Sequence, residues 1–292
     1  MQLDDTLGGY FHVLFKVHRF LSDSQIKNHV CALLHLRGFL GREPLISDLT
    51  DDTIASMMRW VVSVKGRAPR TANKSRDCLL AQWRFYARKG IVSRWPDVGA
   101  LPEPQEIPVC WTKPELKRLF AACSRQEGWI GGIPAASWWH ALHATCYDTA
   151  ERIMPVLRLA WGAVDLRSRV ITFKAADRKG GRKANQQPIH RQTVRLLRSI
   201  RGESELVFPT DFCLGTLYNR YDKLLREAGL PHGRESKFHR IRKTSASWFE
   251  AAGGNATDFL GHSSRRVTLR YLDPRVTVKT RPCDELFRPT GS

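Results

Sequence analysis

Between residues 94 and 110 the chain reads RWPDVGALPEPQEIPVC, four prolines with no apolar periodicity. Proline has no N–H to give to a helix or a central strand. The stretch therefore predicts an extended linker, placed at 96–110, that parts the chain into a domain over 1–95 and a second over 111–292. With 292 residues in all, both pieces are long enough to bury a core of their own.

Ahead of the linker the spacing is helical throughout. Ile26, Val30, Leu33 and Leu34 share one face, and Ile54, Met57, Met58 and Val61 repeat the pattern after the start signal Thr50, Asp51, Asp52. A third helix is expected from about 71 to 89 with Leu79, Leu80, Trp83 and Tyr86 inward. Behind the linker, Thr112 and Glu115 form a capping box that opens a helix burying Leu116, Leu119 and Phe120. Short strands are expected over 170–174 and 185–190, on either side of a Gly-rich basic hairpin loop, RKGGRK. Helices follow over 193–200, 214–228 and 242–252, and Trp138, Trp139 and His140 are assigned to core packing. The fold expected is mainly α with a small antiparallel sheet: a helical domain followed by an α+β domain.

Charge narrows the partner. Forty-seven Lys and Arg against 28 Asp and Glu leave +19 and a pI near 10.1, too lopsided for a generic metabolic enzyme and pointing to a polyanion. Arginines outnumber lysines 33 to 14, and the guanidinium fork matches phosphate oxygens in pairs. Nucleic acid is the partner this favours. Arg67, Arg70, Lys74 and Arg76, at the approach and first turns of the third helix, read either as phosphate contacts of the first domain or as a solvated charged face. No apolar run approaches a membrane span, and Asp4 and Asp5 stand where a signal peptide needs positive charge. The seven cysteines, Cys31, Cys78, Cys110, Cys123, Cys146, Cys213 and Cys283, are odd in number and scattered, without a C-x2-C pair. They predict reduced thiols, a cytoplasmic location and no metal site.

One constellation carries chemistry. In FHRIRKTSASW, His239 and Arg242 stand at i and i+3 and share a helix face. By itself this is weak, since 10 His and 33 Arg in such a chain give about one H-x-x-R by chance, and His262 with Arg265 is a second copy. The order of the neighbours supplies the weight: TAERIMPVLRLAWGAVD places Arg152 at the head of an apolar helix expected to run to Trp161 and Asp165, and LGHSSRRVTLRYLDP places Tyr271 nine residues after His262. Arg152, a lysine in the hairpin, His239 and Arg242, His262 and then Tyr271 resemble, in that order, the tyrosine recombinase (phage integrase) family.

The resemblance covers the whole chain and implies a helical core-binding domain, a linker and a catalytic domain, with four protomers acting on two DNA sites. It implies a site-specific recombinase or integrase of a mobile element that cleaves and rejoins DNA through a 3′-phosphotyrosyl link, without cofactor or metal. The larger integrases of the family carry an arm-binding domain for which the N-terminus leaves no room. Catalytic residues are expected at Arg152, Lys179, His239, Arg242, His262 and Tyr271, with Lys174 and Lys183 as the other candidates for the hairpin lysine. Tyr271 is the nucleophile in this reading. Only roughly one tyrosine in a thousand is ionised at pH 7, so nearby cations or a base must favour the phenolate; His239 is that base or, in its charged form, a phosphate ligand, while two arginines clamp the phosphate. Two departures stand out: Pro155 occupies the place, three after Arg152, where the family usually has an acidic residue, and the segment between Gly253 and Leu260 is about three residues short. Two rivals remain open, a type IB topoisomerase-like relaxing enzyme and a catalytically impaired DNA-binding relic.

Overall fold

The computed structural model describes residues 5–178 and 183–278. The chain is mainly helical, with small antiparallel sheets, and it divides into two compact units, Met1–Gln105 and Glu106–Ser292.

In the first unit a helical segment (Leu7–Tyr10, a π-helical turn Phe11–Phe15, then Lys16–Arg19) precedes α1 (Asp23–Leu40), α2 (Asp51–Ser63) and α3 (Pro69–Arg88). Local chemistry sets the starts. Ser22 and Gln25 form a capping box at α1, the Thr50 hydroxyl accepts from the Thr53 N–H at α2, and Pro69 occupies the first turn of α3, where no N–H is required. Leu36, Ile54, Met57, Val61, Leu79, Trp83 and Tyr86 bury their side chains together with Phe11 and Phe15. The proline-rich stretch is extended but not free. The Trp83 indole donates to the Arg94 carbonyl, the Asp97 N–H to Asp51, and Asn73 exchanges bonds with both backbone groups of Leu101. Val98 is buried against the helices. Residues 96–101 therefore belong to the first unit rather than to an open tether, because side chains of α2 and α3 satisfy backbone groups that proline keeps out of regular structure.

The second unit is built around α5 (Ala135–Thr149), buried on almost every side through Trp138, Trp139, Leu142, His143 and Cys146. His140 is half-buried and stacks on Phe120. Packed on α5 are α4 (Lys113–Ser124), opened by the expected Thr112–Glu115 capping box, α7 (Arg191–Ser199) and α9 (Phe238–Ala251). A two-residue hairpin, β1 (Trp129–Ile130) with β2 (Ile133–Pro134), leads into α5. The larger sheet has the order β3-β4-β5, with β3 (Val164–Asp165), β4 (Val170–Phe173) and β5 (Asn185–Pro188) all antiparallel and Ile171 opposite Gln187. Completing the unit are α6 (Ile153–Leu157), α8 (Leu214–Glu227) and three short helices near the end, α10 (Ala256–Leu260), α11 (Arg265–Leu269) and α12 (Pro274–Thr277).

One expected element is corrected. The apolar run after Arg152 is not one helix to Asp165: α6 stops at Leu157, Trp161–Ala163 form a 3-10 turn, and Val164–Asp165 are a strand. The Leu159 carbonyl accepts from the Val207 N–H and the Trp161 N–H bonds the Glu205 carbonyl, so pairing with a distant segment replaces the helical ladder. The helix before His262 is only five residues long, as the shortened spacing implied. Among the described residues no helix is long and apolar enough to cross a membrane, and Cys31, Cys78, Cys110, Cys123, Cys146 and Cys213 are free thiols. Cys283 lies outside the described residues.

Candidate active site

Where α5 ends, Ala150 adopts a left-handed conformation with φ 48° while fully buried. An L-residue other than glycine pays roughly 1 kcal/mol for that geometry. The turn directs the Ala150 carbonyl at Arg242, carries the Glu151 side chain inward and leaves Arg152 as the extended residue that caps α6. Pro155 falls in the first turn of α6, so the helix loses no hydrogen bond to it.

From α9 come His239 and Arg242, one turn apart. Arg242 is 2% exposed; its guanidinium donates to the Ala150 carbonyl and, at 3.0 Å, to the Leu260 carbonyl that ends α10. Gly261 then closes α10 in the left-handed region and delivers His262. The His262 Nε2 stands 3.3 Å from an Arg242 nitrogen and Nδ1 3.1 Å from the Thr268 hydroxyl. Arginine only donates, so Nε2 is the acceptor and the ring proton sits on Nδ1, toward Thr268.

Tyr271, following α11, closes the cluster. Its ring centroid lies 5.0 Å from that of His239 and 4.8 Å from that of His262, and the Arg242 guanidinium carbon is 5.5 Å from it. The segment beyond it is fastened to α9. The Ser247 hydroxyl donates to the Tyr271 carbonyl and accepts from the Asp273 N–H, while the fully buried Asp273 carboxylate accepts from Arg275 and from the Cys110 N–H. Burial opposes ionisation of Asp273, but those donors outweigh it and hold the carboxyl down at about 2.

Electrostatics in the cluster favour uncharged imidazoles. Desolvation, followed by Lys243, Arg242 and Arg152, brings His239 down to about 4 although part of its ring stays open to solvent; desolvation, Arg242 and Arg152 do the same to His262. Burial, with Arg152 adding repulsion, lowers Arg242 to about 10, still fully charged at neutral pH. A cationic recess with neutral imidazoles beside a phenol is suited to bind an anion and to accept a proton.

Five of the six expected catalytic residues, Arg152, His239, Arg242, His262 and Tyr271, thus come together on the ends of α5, α9, α10 and α11. Lys179 lies outside the described residues, and Lys174 and Lys183 are exposed on the two sides of that gap. In the first unit Arg67, Arg70 and Lys74 are exposed, whereas Arg76 is turned inward, donating to the Val98 carbonyl and pairing with Asp77 at 2.7 Å. Ahead of Tyr271, Val267 and Leu269 are exposed, and the buried residue between them is Thr268. Two members, Glu151 and Arg178, escaped the sequence reading. Glu151, 3% exposed, lies 3.8 Å from NH1 of both Arg152 and Arg242 and 2.8 Å from Nε of Arg178. The one available signal was Pro155, whose presence requires the carboxylate to come from elsewhere.

A model of the phage integrase family matches residues 111–277. No protein of curated function matches in sequence. Among solved structures, lambda integrase as a dimer bound to a COC′ core site is 17% identical with a TM-score of 0.72, covering 92% of this chain and 96% of that one. The Tn1549 transposon integrase in complex with transposon right end DNA is 13% identical with a TM-score of 0.73, covering 91% and 94%. The XerH site-specific recombinase bound to its palindromic difH substrate is 16% identical with a TM-score of 0.66, covering 88% and 78%. At such identities the likeness is one of fold.

Proposed function

The chain belongs to the phage integrase family, and on that footing we propose that it is a site-specific recombinase that cleaves and rejoins duplex DNA through a 3′-phosphotyrosyl intermediate. The observation that carries this is the Tyr271 ring packed among His239, His262 and Arg242. A phenol meant only for packing has no use for two imidazoles and a buried guanidinium around it.

In this reading Arg152 and Arg242 take the nonbridging oxygens of the scissile phosphate and stabilise the charge that builds up on them during in-line attack. Neutral His239 accepts the Tyr271 proton as the new O–P bond forms. His262, its Nδ1 proton fixed by Thr268, accepts from Arg242 through Nε2 and so orients that guanidinium toward the phosphate. Lys179, from the basic hairpin, protonates the departing 5′ oxygen. The phosphotyrosine conserves the bond energy, so rejoining requires neither metal nor nucleotide. Double-stranded DNA is the substrate, held also by Arg67, Arg70 and Lys74 of the first unit. Four copies assemble on two sites, as lambda integrase does on a Holliday junction, and the activity is cytoplasmic.

The test is a nicked suicide duplex drawn from the sequence flanking the gene. The intact protein should become covalently linked to the strand's 3′ phosphate and Tyr271→Phe should not; an adduct that persists in Tyr271→Phe refutes the assignment. Exchange between two such duplexes separates recombination from simple relaxation.

A further inference from the structure

The Glu151 carboxylate is sealed from solvent, 1% exposed at the side chain, so it touches neither water nor DNA. Its two oxygens are divided. One accepts the Arg152 N–H at 2.8 Å and stands 3.8 Å from the guanidinium groups of both Arg152 and Arg242; the other is bonded to Arg178 at 2.8 Å. Two arginines side by side repel each other, and a carboxylate 3.8 Å from both offsets that repulsion and lets them stay close.

That arrangement has an electrostatic cost. A carboxylate beside the phosphate-binding arginines cancels half of their charge just where the transition state needs it. Arg178 answers it. Its side chain is 10% exposed, bonds Glu151 through Nε and donates to the Lys183 carbonyl at 3.0 Å. Its close neighbour across the cluster is Gly261, where a Cβ would come within 3.2 Å of an Arg178 nitrogen. With Arg178 in place the group of three arginines and one carboxylate carries two net positive charges, the number the phosphate sees from Arg152 and Arg242.

We infer that Glu151 and Arg178 are a positioning pair, in which Glu151 spaces the two phosphate-binding arginines and Arg178 neutralises Glu151 so that their charge reaches the phosphate. The inference rests on the strand-exchange reading above. Both residues act through others and neither contacts the substrate.

The experiment uses the full chain and two suicide duplexes, one with an ordinary scissile phosphodiester and one with a methylphosphonate, which is neutral there and needs less positive charge. Arg178→Met should slow adduct formation on the phosphodiester by about 10-fold or more, because a buried anion is left uncompensated beside the reacting phosphate. On the methylphosphonate the loss should shrink to about 3-fold or less, since the reacting group no longer carries the charge. Adding Glu151→Gln to Arg178→Met removes the uncompensated anion and keeps an amide oxygen for the Arg152 N–H, so it should recover part of the phosphodiester rate, short of the unsubstituted chain because the spacing charge is gone. Arg178→Lys, which keeps the charge with less risk to folding, should stay within about 3-fold of the unsubstituted chain. Equal slowing of Arg178→Met on both duplexes, a folded Arg178→Lys as slow as Arg178→Met, or no recovery in the double variant overturns the inference alone. No adduct from the unsubstituted chain overturns the strand-exchange reading and takes the inference with it.

Discussion

His143 shows how one buried side chain sets a property of the whole protein. It is fully enclosed, ringed by Trp139, Tyr221 and Phe238, with Nδ1 2.7 Å from the Trp139 carbonyl and Nε2 without a partner among the described residues. Desolvation brings it down to about 4, against an ordinary 6.5. Between those values the unfolded chain binds a proton that the folded one refuses, so the contribution is present above pH 6.5 and is lost as the pH falls toward 4. From pH 7 to pH 5 this residue alone should cost about 2 kcal/mol of stability. His239 and His262, lowered in the same direction, add to the slope. Urea unfolding at the two pH values checks it: His143→Phe should flatten the dependence, and an unchanged difference in midpoint would count against the assignment.

Among the elements, α10 is only five residues long yet serves the site at its end: its last carbonyl, at Leu260, accepts from Arg242, and Gly261 releases His262 from it. Gly261 has φ 64° and a guanidinium against the face where a Cβ would stand. Gly261→Ala should therefore lose about 1 kcal/mol for the left-handed backbone and should also push Arg178 off Glu151. The expected signature is an adduct rate that falls by more than the unfolding free energy alone explains. If stability drops while the rate holds, the Arg178 side chain has yielded without consequence. The element scale is also where sequence reading parts from structure. The caps at Thr50 and Thr112 name their helices because capping is settled within four residues. The end of α6 at Leu157 is settled by hydrogen bonds to Glu205 and Val207, and nothing in the apolar pattern from Ile153 to Leu159 announces those partners.

Over the whole molecule, +19 of formal charge would make the proposed DNA binding a matter of counterion release. Log affinity should fall linearly with log salt, by about 0.9 for each phosphate neutralised. The individual cations need not count equally. Arg67, Arg70 and Lys74 are free to meet phosphate, so replacing each with Ala should reduce the salt slope by about 1. Arg76 is bonded to the Val98 carbonyl and to Asp77, so Arg76→Ala should leave the slope alone and loosen the packing of the 96–101 stretch instead. Fluorescence anisotropy on a single duplex over a salt series distinguishes the two; a slope that drops equally for Arg76→Ala would place that side chain on the DNA.

The sequence by itself determined the helices opened by the Thr50 and Thr112 caps, the net positive charge, and the order Arg152, His239, Arg242, His262, Tyr271. Each of these is written in composition, in spacing within a few residues, or in the succession of reactive types along the chain. Only the tertiary structure decided that the carboxylate among the arginines is Glu151, that Arg178 completes it from 27 positions away, that Thr268 fixes the His262 proton, and that the proline-rich stretch packs on α2 and α3. The physical reason is shared: a buried charge or an unpaired backbone group takes whichever partner the fold brings near, and a partner remote in sequence leaves no periodicity to read.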